Sequence, residues 1–382
     1  MAQTPTGPQP PPAIDFPPSR TLRTGDISRE LEVTFPSAIP SEFAENQSVR
    51  LRVFLPAEKV DPVPVVVILH YWGATDWRLE ERMAAQLNRR GVGAVLVPLP
   101  YHLSRTPRGY LSGQLAIQPD PEALRKTILQ SVSDVRQTVN WIERQPDFRL
   151  GQIGIAGTSL GAIVAALAAG TEPRFTARCF VLGGVDLAFL LWNSSRVVSQ
   201  REVMRRAGFT EARLREILSD VEPATYLAQS VPVPSLVIRA KFDTVIPPQS
   251  TDALIESLNE PQVVTVNTGH YGGVFAERAI LREFGEFFQS TFFGTARSGI
   301  SKSLSAPTIR IGGLYDDQDR LQVAAGIDLW RSNARSDVFL AALASPRGPR
   351  LMLGAQLGPR VAVGPVLTGK RVTVGLFWSI VL

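Results

Sequence analysis

The sequence predicts an alternating α/β architecture, a mainly parallel sheet covered by helices on both faces, followed by an antiparallel β unit. Three observations carry that expectation. Val65-Val66-Val67-Ile68-Leu69 is an unbroken aliphatic run of the kind buried on both faces of a central strand. The run Ile153-Gly154-Ile155-Ala156 leads through Gly157-Thr158-Ser159-Leu160-Gly161 into Ala162-Ile163-Val164-Ala165-Ala166-Leu167, which reads as strand, sharp turn and helix. Beyond Gly294 the apolar residues recur with period two and the helical spacing disappears.

Residues 1–19 are rich in Pro, Gln and Thr and poor in apolar side chains, so they read as a disordered or polyproline leader. The body is expected over 20–297. Leu31–Phe35 and Val49–Leu55 alternate and form an antiparallel opening pair. Asp76 precedes a helix with Leu79, Met83 and Leu87 on one face, closed by Gly91, and Val92–Val97 is the next strand. Asp120 and Pro121 open a longer helix whose Leu124, Ile128, Val132, Val135, Val139 and Ile142 form one stripe against the sheet, with Trp141 in the core. Pro234–Arg239 and Val263–Val266 are late strands, and Phe284, Phe287, Phe288 and Phe292 fall at helical spacing in the last helix. Two insertions are placed to shape a pocket: Pro98–Gln118, which follows a strand's carboxyl end, and a lid over about 187–227.

A polar linker is expected over 298–307 and an antiparallel meander over 308–382, with strands at 308–314, 321–330, 338–344, 350–357, 360–367 and 371–382. One meander face is large and apolar (Leu321, Val323, Ile327, Leu329; Val372, Val374, Leu376, Trp378, Ile380), and the other is small or polar (Gln322, Gly326, Asp328; Thr373, Gly375, Ser379). That alternation fits a half-buried sheet, and it also fits strands facing lipid. Six strands are fewer than bacterial single-chain membrane barrels use, so a soluble or self-associating module is expected.

Ser159 has the setting a nucleophile needs. A strand-to-helix turn exposes the hydroxyl at the sheet's carboxyl edge, beside a helix N-terminus that favours negative charge. The chain holds three histidines, and only His270, in Asn267-Thr268-Gly269-His270, follows Ser159, as the base of such an elbow does. The acid that orients the imidazole is expected at Asp243, after the Pro234–Arg239 strand, with Asp186 as the alternative one strand earlier. His70 and His102 read as loop residues near the site, and Asp220 and Glu222 as solvated.

These residues, from about Glu30 to Phe293, resemble the α/β-hydrolase superfamily. The resemblance implies an α/β-hydrolase fold and a Ser159–His270–Asp243 triad that works through an acyl-enzyme. It also implies an oxyanion hole. Many members carry His-Gly-x-Gly where this chain has His70-Tyr71-Trp72-Gly73, which carries one donor over to the backbone of Trp72 and the other to that of Leu160. Tyr71 departs from the usual glycine and is the alternative first donor.

Composition limits the other classes. The 382 residues have 44% hydrophobic side chains and a net charge of +5 without a Lys/Arg block, so nucleic acid is not an expected partner. One cysteine and no His pair at ligand spacing lead us to expect neither a metal nor a cofactor. Asp316-Asp317-Gln318-Asp319 lacks the glycine and distal glutamate of a calcium loop and reads as a polar hairpin turn. No charged-then-apolar signal segment is read, which is compatible with the cytoplasm or, after processing, with the periplasm or cell envelope. The expected function is ester hydrolysis on a small-molecule substrate, with membrane or self-association through the β module. The competing reading is a non-catalytic binding or envelope-attachment protein on the same scaffold.

Overall fold

The computed structural model describes residues 7–58, 62–297, 302–305, 309–315, 321–331, 338–357, 361–368 and 371–380. It divides into two units. The first comprises 1–239, 245–264 and 279–302, and the second 240–244, 265–278 and 303–382.

In the first unit, β1 (Arg20–Thr24), β2 (Ser28–Pro36) and β3 (Ser48–Pro56) are antiparallel. Then come β4 (Val63–Leu69), α1 (Arg78–Asn88), β5 (Gly93–Val97), α2 (Pro121–Ile142), β6 (Phe148–Thr158), α3 (Leu160–Thr171) and β7 (Phe175–Val181). Four short helices follow: α4 (Leu187–Asn193), α5 (Val198–Arg206), α6 (Glu211–Ile217) and α7 (Pro223–Gln229). The chain continues through β8 (Ser235–Ala240), α8 (Pro248–Glu256), β9 (Gln262–Asn267) and α9 (Glu277–Phe293). The strands lie in the order β1-β2-β3-β5-β4-β6-β7-β8, parallel from β5 onward. This is the mainly parallel, helix-covered sheet that the sequence predicts.

Each core element forms for a local reason. Every residue of β4 is buried, as a central strand between two helical layers requires. Asp120 accepts the N–H of Glu122 and Pro121 supplies the fixed first turn of α2, whose apolar stripe and Trp141 are buried. Phe284, Phe287, Phe288 and Phe292 of α9 are likewise core.

Residues 7–19 form no regular element but are held along the body. Arg136 and Arg144 donate to the carbonyls of Pro8 and Ile14, and Phe16 packs edge-on against Phe35 at 5.4 Å. An extended Pro-rich chain leaves its carbonyls free to accept such bonds.

Burial also sets a titration. Glu80 of α1 is fully buried, and burial, helped by Asp76 and Glu81, raises its carboxyl from 4.5 to about 7. A raised folded value means that the stability contributed by the neutral form is complete below about pH 4.5. It is lost as pH rises through about 7. Glu80→Gln is therefore expected to stabilise the protein at pH 8 by about 3 kcal/mol, a gain that shrinks toward zero near pH 4.5. Urea denaturation across that range checks it, and a pH-independent difference would refute it.

In the second unit, the Thr265–Asn267 end of β9 pairs in parallel with β10 (Ser303–Ser305), within the span expected as a linker. The remaining strands are β11 (Ile309–Tyr315), β12 (Leu321–Arg331), β13 (Val338–Ser345), β14 (Gly348–Leu357), β15 (Val361–Thr368) and β16 (Arg371–Ile380). They are antiparallel neighbours throughout, and β16 pairs back onto β11, closing the meander into a six-stranded barrel. The expected hairpin turn at 316–319 lies outside the described residues.

The faces of this meander differ from a half-buried sheet with its large apolar face covered. Ala324 of β12 is buried, whereas the large aliphatics Val323 of β12 and Val374 of β16 point outward and are 68% and 63% exposed; Leu314, Leu343 and Val366 of other strands are buried inside. The physical reason is lumen size, because a barrel of so few strands has room inside only for small side chains and a few large ones. Here Phe339, Phe377 and Met352 fill it. A side chain at the inward Gly354 would overlap the Phe339 ring. Arg310 and Asp328 pair inside, with Nη2 2.9 Å from Oδ2, and the guanidinium lies over the face of Phe339. Among the described residues, no helix is long and apolar enough to cross a membrane.

Candidate active site

Ser159 stands between β6 and α3 with φ 54° and ψ −115°, a conformation that costs a non-glycine residue of order 1–3 kcal/mol. The flanking glycines make that turn possible. A side chain at Gly157 would overlap the carbonyl of Gly161, and one at Gly161 would overlap the carbonyls of Leu69 and His70. The Ser159 N–H donates to Val181 at 2.8 Å and its carbonyl accepts from Ala162 at 2.9 Å, which fixes the turn to β7 and to the helix. Leu160 is the first residue of α3, where backbone N–H groups lack helical partners and the dipole favours an anion.

The loops after β8 and β9 run side by side. Lys241 and Phe242 donate their N–H groups to Val266 and Thr268. This brings Asp243 to His270, with Oδ2 2.7 Å from Nδ1, and both side chains are buried. A carboxylate accepting from Nδ1–H leaves Nε2 as the basic nitrogen of the ring.

The alternative acid, Asp186, is engaged elsewhere. It sits at φ 61° as the cap of α4, accepts the N–H of Phe189, and accepts from Arg215 at 2.6 Å. Glu222 accepts from the N–H groups of Asp186 and Leu187 at 2.9 and 2.8 Å. Asp220 is buried and held through both oxygens by Arg125, which corrects the expectation of a solvated side chain. Burial of these carboxylates follows from cations and amides that the linear sequence places far away.

His70 and His102 are fully buried, their rings 4.8 Å apart. The Nε2 of His70 accepts from Leu99 N–H, so Nδ1 carries the proton and donates to the carbonyl of Tyr71. Burial lowers His70 to about 3 and His102 to about 4, so both are neutral at pH 7. The stability gained with neutral rings is present above about 6.5 and is lost as the pH falls toward those values. His70 thus fixes the loop that carries Trp72. The Trp72 indole donates to Gly113 at 2.8 Å, and Arg196 stacks on its ring at 4.8 Å.

The Pro98–Gln118 insertion is pinned from within. Arg105 is fully buried, pairs with Asp134 of α2 at 2.7 Å, and donates to the carbonyls of Pro98 and Asn46. Between this insertion, α3 and α4 lies a partly open, almost wholly apolar pocket, lined by Leu160, Ile163, Leu187, Leu190, Val197 and His102. His102 donates through Nδ1 to Pro100, and its buried Nε2 has no hydrogen-bond partner among the described residues. The sequence points to the Pro98–Gln118 insertion, which holds His102, and to the 187–227 segment, but not to Ile163 as a wall residue. The apolar neighbours of Ile163 gave the signal only as core. Among the described residues, no group of three or more His, Cys, Asp or Glu side chains is placed to hold a metal.

Known proteins agree with this architecture. Residues 18–207, just under half of the chain, match the family described as Alpha/beta hydrolase domain containing 18. An acetyl xylan esterase from Paenibacillus sp. R4 is similar at 17% identity and a TM-score of 0.57, over 70% of this chain and 87% of that one. An acylaminoacyl peptidase from Pyrococcus horikoshii is similar at 17% identity and a TM-score of 0.56, over 72% of this chain and 43% of that one. No curated protein matches the chain. At these identities the solved structures speak for the fold. The chain has the α/β-hydrolase fold, and its residues 18–207 are similar to an α/β-hydrolase family.

Proposed function

We propose that this hydrolase cleaves carboxylic esters through an acyl-enzyme, with Ser159 as nucleophile, His270 as base and Asp243 as the acid that orients it. The observation that carries the reading is the strained backbone of Ser159 at the N-terminus of α3. A buried positive-φ serine between two clash-limited glycines has a cost that a plain turn would avoid. The Asp243–His270 hydrogen bond supports it, because a neutral imidazole held by a carboxylate at Nδ1 is set to accept a proton at Nε2.

In this mechanism His270 takes the Ser159 proton as the oxygen attacks the ester carbonyl. The N–H groups of Leu160 and Trp72 receive the oxyanion, a contribution of about 3–4 kcal/mol for each donor. His270 then protonates the leaving alcohol, and water repeats the attack on the acyl-enzyme. The apolar cavity beside Leu160 takes the acyl group.

A fluorophosphonate probe tests the assignment together with p-nitrophenyl esters of graded acyl length. Covalent labelling at Ser159 is expected, with kcat/KM rising with acyl length until the cavity is filled. Absence of both labelling and hydrolysis by the folded protein would favour a binding scaffold instead.

A further inference from the structure

We propose that the barrel β11–β16 is a membrane anchor whose outer surface lies in the hydrocarbon of a lipid bilayer. The inference stands apart from the ester reading, because it rests on the barrel alone.

The outward positions carry it. Ile311 on β11, Val323 on β12, Leu353 on β14, Leu367 on β15 and Val374 on β16 are all 41–68% exposed. None of the described outward-facing strand side chains is charged or polar. Arg310 and Asp328 are inside and neutralise each other. The other charges of this region lie in the sequence between strands, as in Asp316, Asp317, Arg335 and Arg360, or near strand ends, as in Arg331, Arg350 and Arg371. An uncharged belt with charged ends is the profile a bilayer selects.

The distribution of the belt decides who occupies it. In a ring of six strands, β11 and β14 are three apart and face opposite directions. A second copy or another protein would cover one side and leave the other in water. A solvent that surrounds the barrel covers both, and lipid is that solvent. Closure supports this, because with β16 bonded to β11 no strand edge presents unpaired amides to hydrocarbon. Strands of eight to eleven residues, which include five of the six, span roughly 20–25 Å when tilted, comparable to the apolar band of known membrane barrels. Six strands are fewer than in the smallest bacterial single-chain pores, and the packed lumen of Phe339, Phe377 and Met352 leaves no channel. The barrel is therefore an anchor and not a conduit.

Flotation of the full chain with phosphatidylethanolamine–phosphatidylglycerol vesicles tests this. The protein is expected to float and to stay bound in high salt, since the contact is apolar. Ile311→Arg and Leu353→Arg, on opposite sides, should each lower the bound fraction about thirty-fold or more, whereas Ile311→Leu and Leu353→Ile should not. A second variant covers the case in which arginine prevents folding: the fluorescence of Leu353→Trp should be quenched by lipids brominated along the acyl chain. Three results would overturn the proposal: a monodisperse monomer that ignores vesicles, an unquenched Leu353→Trp, or a dimer that does not float and is dissociated by only one of the two arginine variants. The last would place a second copy on one face.

Discussion

Alanine in place of Ser159 is expected to abolish ester hydrolysis, lowering kcat by about 10⁴-fold or more, while the thermal midpoint stays within a degree or two of the wild type. The size of the loss follows from removing the atom that forms the acyl-enzyme. What remains is catalysis from the oxyanion donors and from binding, and single removals within such a unit cost nearly as much as removing all of it. The unchanged midpoint follows from the backbone. Alanine has the same Cβ as serine, so the positive φ costs the two residues alike, and the main-chain bonds to Val181 and Ala162 survive. Rates with a soluble p-nitrophenyl ester and a calorimetric scan of both proteins check it. Wild-type turnover by the folded variant would remove Ser159 from the mechanism.

Asn in place of Asp243 should cost about 10⁴-fold in kcat, and Asp186→Asn less than tenfold. An amide at 243 offers His270 a donor as readily as an acceptor, so the ring can settle with its proton on the nitrogen that has to receive one. Asp186 instead caps α4 and pairs with Arg215, so its amide variant loses some stability and little rate. Measuring kcat beside urea stability separates the two effects. A larger kcat loss at 186, on proteins of equal stability, would move the acid to the strand before.

Much of this was legible because it is local. The aliphatic run of β4, the Asp120-Pro121 start of α2 and the glycine spacing around Ser159 each express one constraint within a few residues, and the structure places those elements there. The six late strands fell within two residues of their sequence bounds for the same reason. What stayed hidden depends on closure and on distance. Alternation in β12 marks two faces but does not say which is inside, and that is settled only when β16 meets β11 and fixes the lumen. Arg125 holding Asp220, and Arg105 holding Asp134, join residues 95 and 29 positions apart, so neither partner betrays its burial alone. The His70–His102 stack is hidden likewise, since each ring taken singly looks like a loop residue.

The filled barrel lumen bears on how this chain can vary. With the Phe339 ring occupying the space beside Gly354, neither position is free to change by itself. An alanine at 354 becomes tolerable only if the ring at 339 gives way to something smaller, and the Arg310 guanidinium resting on that ring would then lose its support. Related chains should therefore drift in concert at 310, 339 and 354, while the aliphatic exterior interchanges Leu, Val and Ile almost without correlation. The interior would carry the heritable signature of this barrel, and the exterior only its hydrophobicity.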